Sequence, residues 1–124
     1  MEFKLEKFSD VTVIHVFLTR ATLTKAVSFK DYVSDTITSG AHKIIIDLSI
    51  CEYIDSTFLG AMVAMLKKVN ALNGDLRLVY NKEVPSLLFV LTRMDKVFKT
   101  FTSLDDALAS FNVSGNKPPT LNWK

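Results

Sequence analysis

Cysteine is almost absent from this 124-residue chain. Cys51 stands alone, so no internal disulfide can form, and a reducing compartment is the expectation. Glycine is scarce as well. The four present make neither G-x-G-x-x-G nor a Walker sequence, which removes the Gly-rich phosphate loops. Two histidines, His15 and His42, lie far apart and supply no H-x-x-x-H pair; with a single cysteine there is no C-x-x-C either. No metal and no cofactor are therefore expected. A large excess of charge is also missing. Fifteen Lys and Arg against 13 acids leave a net charge of +2, without the clustered excess that marks nucleic-acid or anionic-membrane binding. The longest apolar runs, such as "VTVIHVFL" and "SLLFVL", fall well short of the roughly 20 residues that span a bilayer. The opening "MEFKLEKFSD" alternates charge and hydrophobe, unlike a secretory leader. A cytoplasmic, single-domain protein that touches neither nucleic acid nor membrane directly is the expectation.

What is present is core material, 48% hydrophobic residues, enough for one domain of ordinary size. Phe3 and Leu5 alternate with charges as in an edge strand, and "VTVIHVFL" is rich in β-branched and aromatic residues. Ser9-Asp10 between them predicts a hairpin turn. From Ala26 to about Ser39, Phe29, Val33 and Ile37 recur at helical spacing, with Gly40 placed as a helix terminator. "KIIIDL" is a continuous apolar run, the mark of a strand buried on both faces. A helix from Ser56 closes near Asn73-Gly74, and "DLRLVY" is the next strand. Pro85 suits the first turn of a short helix, "VPSLLFVLTRM", because its missing N–H costs little there. "VFKTF" reads as a short strand, and "SLDDALASF" as a helix with Ser103 for its N-cap. Strands alternating with helices after a hairpin predict a single α/β domain with a mixed, mainly parallel sheet and flanking helices. Residues 112–124, "NVSGNKPPTLNWK", have no periodicity, carry Gly115, Pro118 and Pro119, and read as a mobile tail.

Chemistry concentrates in one place. "IIIDLSICEYIDSTFLGAMVAMLKK" puts Asp55, Ser56 and Thr57 at the mouth of an apolar helix. Such residues cap helices, since their oxygens accept the free N–H groups of the first turn. Capping needs only one of them, and here three stand together. Projected at 100° per residue, Leu59, Met62, Leu66 and Val69 share a core-facing arc, with Phe58, Ala61, Met65 and Leu72 on one flank. Ser56 shares the other flank with Gly60, Val63 and Lys67. A glycine inside a helix costs about 1 kcal/mol relative to alanine. Gly60 fits either a close approach by another surface or tight packing within the domain. Elsewhere, His15 reads as a packed, hydrogen-bonded histidine, His42 as solvated, Cys51 as a small core hydrophobe and Lys67-Lys68 as a solvated face. Ser56 is not in a G-x-S-x-G elbow and has no local histidine base, which argues against a hydrolase.

The segment "KIIIDLSICEYIDSTFLGAMVAMLKKV" resembles the signature of STAS domains, specifically the bacterial anti-sigma-factor antagonists. Their pattern is an apolar strand ending in D-L, then D-S-[ST]-G-L-G opening a helix. The opening hairpin, "GDLRLVY" and "LTRMDKVFKTF" fit as well, so the resemblance covers residues 1–111. It implies a non-enzymatic binding module. By resemblance, Ser56 is the serine phosphorylated by a partner that is both Ser/Thr kinase and anti-sigma factor, and a serine phosphatase resets it. The unmodified form would bind that partner and free a sigma factor. Asp55, Thr57, Phe58, Gly60, Val63 and Lys67 would form the partner-binding surface. The chain departs from the pattern in having Phe58 for the first glycine. It also has "RATLT" where the family often has Gly-x-[Leu/Ile]-Asp, with Arg20 for the glycine and Thr24 near the acidic position. Two other roles are open to such a module: an unphosphorylated interaction subunit of a scaffold or transport complex, and a small-ligand or nucleotide sensor.

Overall fold

The computed structural model describes residues 2–84, 94 and 96–112. Strands β1 (Phe3–Phe8) and β2 (Val11–Val16) form the expected antiparallel hairpin. Phe8 pairs with Val11, so the connection is two residues long, and Ser9 takes a φ of 59° at its tip. A left-handed residue there matches the twist of a two-residue hairpin. The Lys43 ammonium donates to Asp10 Oδ2 at 2.7 Å, and this hydrogen bond holds the Asp10 carboxyl below its ordinary range.

A two-residue strand, β3 (Arg20–Ala21), leads into helix α1 (Leu23–Thr38). The helix starts three residues before the expected Ala26, for a reason outside its own sequence. Its N-cap, Thr22, makes no side-chain capping bond. Instead the amide of Leu23 donates to the carboxylate of Asp55, 32 residues away. The other end follows expectation. Gly40 adopts a φ of 111°, its amide donating to Ile37 O and that of Ala41 to Thr36 O, a Schellman closure.

Next come β4 (Lys43–Leu48), β5 (Tyr53–Ile54), α2 (Ser56–Asn70) and β6 (Asp75–Tyr80). Described elements end with β7 (Thr100–Phe101) and α3 (Leu104–Ser110). The main sheet has the order β1-β2-β4-β6-β7, parallel except for β1, and β3 pairs with β5 in a separate parallel ribbon. This is the mixed, mainly parallel α/β domain that the alternation predicts. Gly74 admits the chain from α2 into β6. A Cβ there would sit 2.2 Å from the carbonyl oxygen of His42, which itself accepts the Asp75 amide.

β4 is the centre of the layering, buried on both faces as its unbroken apolar run implies. Ile44, Ile46 and Leu48 belong with the core under α1 and α2, and Ile45 belongs with a second core under α3. Each such side chain contributes on the order of 1.5–3 kcal/mol by leaving water. Ser103 caps α3, its hydroxyl accepting from the Asp106 amide, as expected. Of "VFKTF", only Thr100 and Phe101 are extended, and Val97 is exposed. The expected helix over "VPSLLFVLTRM" lies outside the described residues except at its ends, Val84 and Met94. The expected tail, residues 112–124, lies outside them beyond Asn112.

Candidate functional site

The short ribbon β3–β5 builds the site. Thr19 O accepts the amides of Glu52 and Tyr53, and the Arg20 guanidinium lies 4.4 Å from the centre of the Tyr53 ring. Ala21 pairs with Ile54, so the chain enters α1 and α2 side by side. Two residues per strand are too few for any periodic signal, and sequence reasoning missed the ribbon.

Asp55 then ties the two helices together. Its backbone amide donates to Ala21 O at 3.0 Å. One carboxylate oxygen, Oδ1, accepts from the Phe58 amide at 2.8 Å and caps α2. The other, Oδ2, accepts from the Leu23 amide at 2.8 Å and caps α1. One carboxylate therefore serves two helix N-termini, where negative charge is favoured by the exposed N–H groups and the helix dipole. The capping reading of Asp55-Ser56-Thr57 is satisfied by Asp55 alone. Ser56 and Thr57 are exposed, and neither hydroxyl is hydrogen-bonded among the described residues. Nearby, the hydroxyls of Thr22 and Thr24 lie 3.1 Å apart.

The helix face sorts partly as projected. Ala61, Met62, Met65, Leu66 and Val69 are buried, while Leu59 is only half-buried and Leu72, past the helix end, is exposed. The buried stripe is turned toward Phe58 because α2 packs on α1 as well as on the sheet. Phe58 corrects the expectation of a ring that meets a partner. It is 0% exposed and lies 4.6 Å, centre to centre, from Phe29 of α1. Removing such a ring from a core costs about 3–5 kcal/mol, so it acts as structure beneath the site. Gly60 and Lys67 are exposed beside Ser56, with Val63 half-buried. A Cβ on Gly60 would meet nothing within 4 Å, so tight packing inside the domain does not explain this glycine. Sequence reasoning also missed Leu23 and Val27, which are 63% and 70% exposed on α1 beside the same mouth. Their i, i+4 spacing was visible, but nothing marked that stripe as outward.

The histidines are elsewhere. His15 lies between Asp47, 2.8 Å from Nδ1, and Glu6, 2.8 Å from Nε2, and stacks on Phe17. Its side of β2 is that of Val11 and Val13, against the α3 core, so the sheet separates it from α2. His42 is exposed before β4, at the opposite end of that strand from Ser56. Neither can serve Ser56 as a base. Cys51 is buried, and desolvation, reinforced by the charge of Asp47, pushes its thiol up to about 12. Among the described residues no group of three His, Cys, Asp or Glu is placed to hold a metal ion, and no helix is long and apolar enough to cross a membrane.

Comparison with known proteins converges on one family. Residues 4–107 match the STAS domain model. A Thermotoga maritima protein named as an anti-sigma factor antagonist is 31% identical over 103 residues, covering 82% of this chain and 91% of its own. The crystal structure of an anti-sigma factor antagonist from Mycobacterium paratuberculosis superposes with a TM-score of 0.76 at 23% identity, over 87% of this chain and 91% of that one. The Bacillus cell fate determinant SpoIIAA in its phosphorylated form gives 0.65 at 18% identity, over 89% and 99%.

Proposed function

The chain belongs to the STAS domain family, among relatives named as anti-sigma factor antagonists, and on that premise we propose that it is a binding module switched by phosphate on Ser56. One observation carries the proposal: Asp55 does all the capping, which leaves the Ser56 hydroxyl exposed and unengaged at the helix mouth. The unmodified domain binds an anti-sigma factor that is also its Ser/Thr kinase, and so frees a sigma factor. A serine phosphatase restores the bound-competent form. Catalysis belongs to those partners; in this chain Ser56 is the acceptor.

The switch is electrostatic. Phosphorylation adds about −1.5 to −2 charges and three acceptor oxygens. At Ser56 they meet the N-terminal end of α2, whose amides and dipole favour an anion, so the domain itself tolerates the group. A partner docked over Gly60, Val63 and Lys67 must instead desolvate a dianion lying next to the Asp55 carboxylate. Poor charge placement at an interface costs several kcal/mol, and about 1.4 kcal/mol already means tenfold in affinity. Asp55 holds the loop in place through its bonds to both helices.

The test is intact-protein mass spectrometry after incubation with ATP and native bacterial lysate, comparing wild type with Ser56→Ala. One phosphate on wild type and none on Ser56→Ala is the expected result. A phosphate that survives in Ser56→Ala moves the acceptor to Thr57. No phosphate on wild type, in a lysate that modifies another antagonist of this family, makes the chain an unphosphorylated interaction subunit.

A further inference from the structure

Away from the helix mouth, the β1–β2 hairpin and the C-terminal half of α1 enclose an open cavity of about 280 Å³. Leu5, Tyr32 and Ala41 provide apolar walls. Lys7 from the strand side and Asp35 from the helix side bring opposite charges to the same space. Neither charged group makes an ion pair or a side-chain hydrogen bond among the described residues, with each other or with anything else. Thr12 also lines the cavity, directly across the hairpin from Lys7 and on the same sheet face. It is 1% exposed, and its hydroxyl has no hydrogen-bond partner among the described residues. The other buried threonine here, Thr36, behaves in the ordinary way by donating to Tyr32 O at 2.8 Å. A buried hydroxyl without a partner costs stability, and polar groups converging on an apolar recess are how small-molecule sites are made.

We propose that this cavity binds a small zwitterion of the α-amino-acid type. Its carboxylate sits at Lys7 and accepts a hydrogen bond from Thr12. Its ammonium sits at Asp35, and its aliphatic side chain lies against Leu5, Tyr32 and Ala41. Separated, unpaired charges of opposite sign match a ligand that carries both; a purely anionic ligand would meet Asp35 and a cationic one Lys7. The volume lies just below the usual range of about 300–1,000 Å³, which suits a molecule of few heavy atoms and is small for a nucleotide. Asp35 is twelve residues along α1 from Leu23, about 18 Å of helix, so this site is separate from Ser56 and independent of its phosphorylation.

The experiment is a two-dimensional amide NMR titration of the full chain with L-alanine, L-valine and L-leucine. Isovalerate, which is valine without its ammonium, and isobutylamine, which is valine without its carboxylate, serve as its two halves. Saturable shifts centred on Leu5, Lys7, Thr12 and Asp35 are expected from at least one amino acid, with each half weaker by about tenfold or more. Thr12→Val should raise Tm by about 4 °C, since it replaces an unpartnered hydroxyl with a methyl, while weakening amino-acid binding about tenfold. Asp35→Asn should weaken binding with little change in Tm. Absence of saturable shifts from all three amino acids up to about 10 mM overturns the proposal. So does equal binding of either half, or a Thr12→Val protein that binds as tightly as wild type.

Discussion

At the scale of the residue, Asp55 and Cys51 show how much one side chain's surroundings decide. Asp55 accepts from two backbone amides that belong to different helices. Asp55→Ala should destabilise the domain by about 1–3 kcal/mol, because the N-termini of two helices lose their capping acceptor. Asp55→Asn keeps one good acceptor oxygen and should fall between alanine and wild type in urea unfolding. Equal stability of all three would refute the double cap. Cys51 has its thiol pushed up from 9.0 to about 12 by burial and by Asp47. The folded state then holds the proton more tightly than the unfolded chain. Its contribution to stability is whole below pH 9.0 and is lost as pH rises through about 12. Native protein at pH 8 should leave a thiol-specific reagent unconsumed, and urea should release one equivalent; rapid reaction of the native protein would contradict this burial. The candidate site was legible in part at this scale. Asp-Ser-Thr at a helix mouth was plain in the chain, but three capping residues in a row look equivalent until the fold shows which one is used.

At the scale of the element, α2 is divided between a buried stripe and an exposed side. Its buried stripe runs from Phe58 to Val69, and its outward side holds Ser56, Gly60 and Lys67. Gly60 is exposed with open space where a Cβ would go. Gly60→Ala should therefore stabilise the free domain by about 1 kcal/mol, through helix propensity alone. On the proposed docking, which brings the anti-sigma partner close to this backbone, the same methyl should weaken its capture. A stability gain with unchanged capture would remove Gly60 from the contact surface. Periodicity found α2, β4 and β6 because their burial is continuous along the element. It missed the first turn of α1 because a carboxylate 32 residues distant decides it, and it left Phe58 on the flank of the arc that α1 turns into core.

At the scale of the whole molecule, two cores on opposite faces of one sheet hold the helix mouth still. Nothing in the described structure has to move to accept a phosphate on Ser56, which lies outside both cores. Phosphorylated protein should therefore keep its amide NMR spectrum except near residues 22–24 and 53–60, while its affinity for the anti-sigma partner falls by at least tenfold, about 1.4 kcal/mol. Spectral change spread through β4 and β6 would mean refolding and would replace the electrostatic switch with a conformational one.

The amino-acid order by itself determined the α/β class, the hairpin, the doubly buried central strand and the helix mouth with its acid and two hydroxyls. These follow from short-range rules: side-chain period, turn preferences and continuous apolar runs. Only the tertiary structure decided that Asp55 caps both helices, that Phe58 is core, that Gly60 faces open space and that Thr12 is buried without a partner. Each of these depends on atoms brought together from distant parts of the chain, and local sequence carries no record of what will stand opposite a side chain once the sheet has formed.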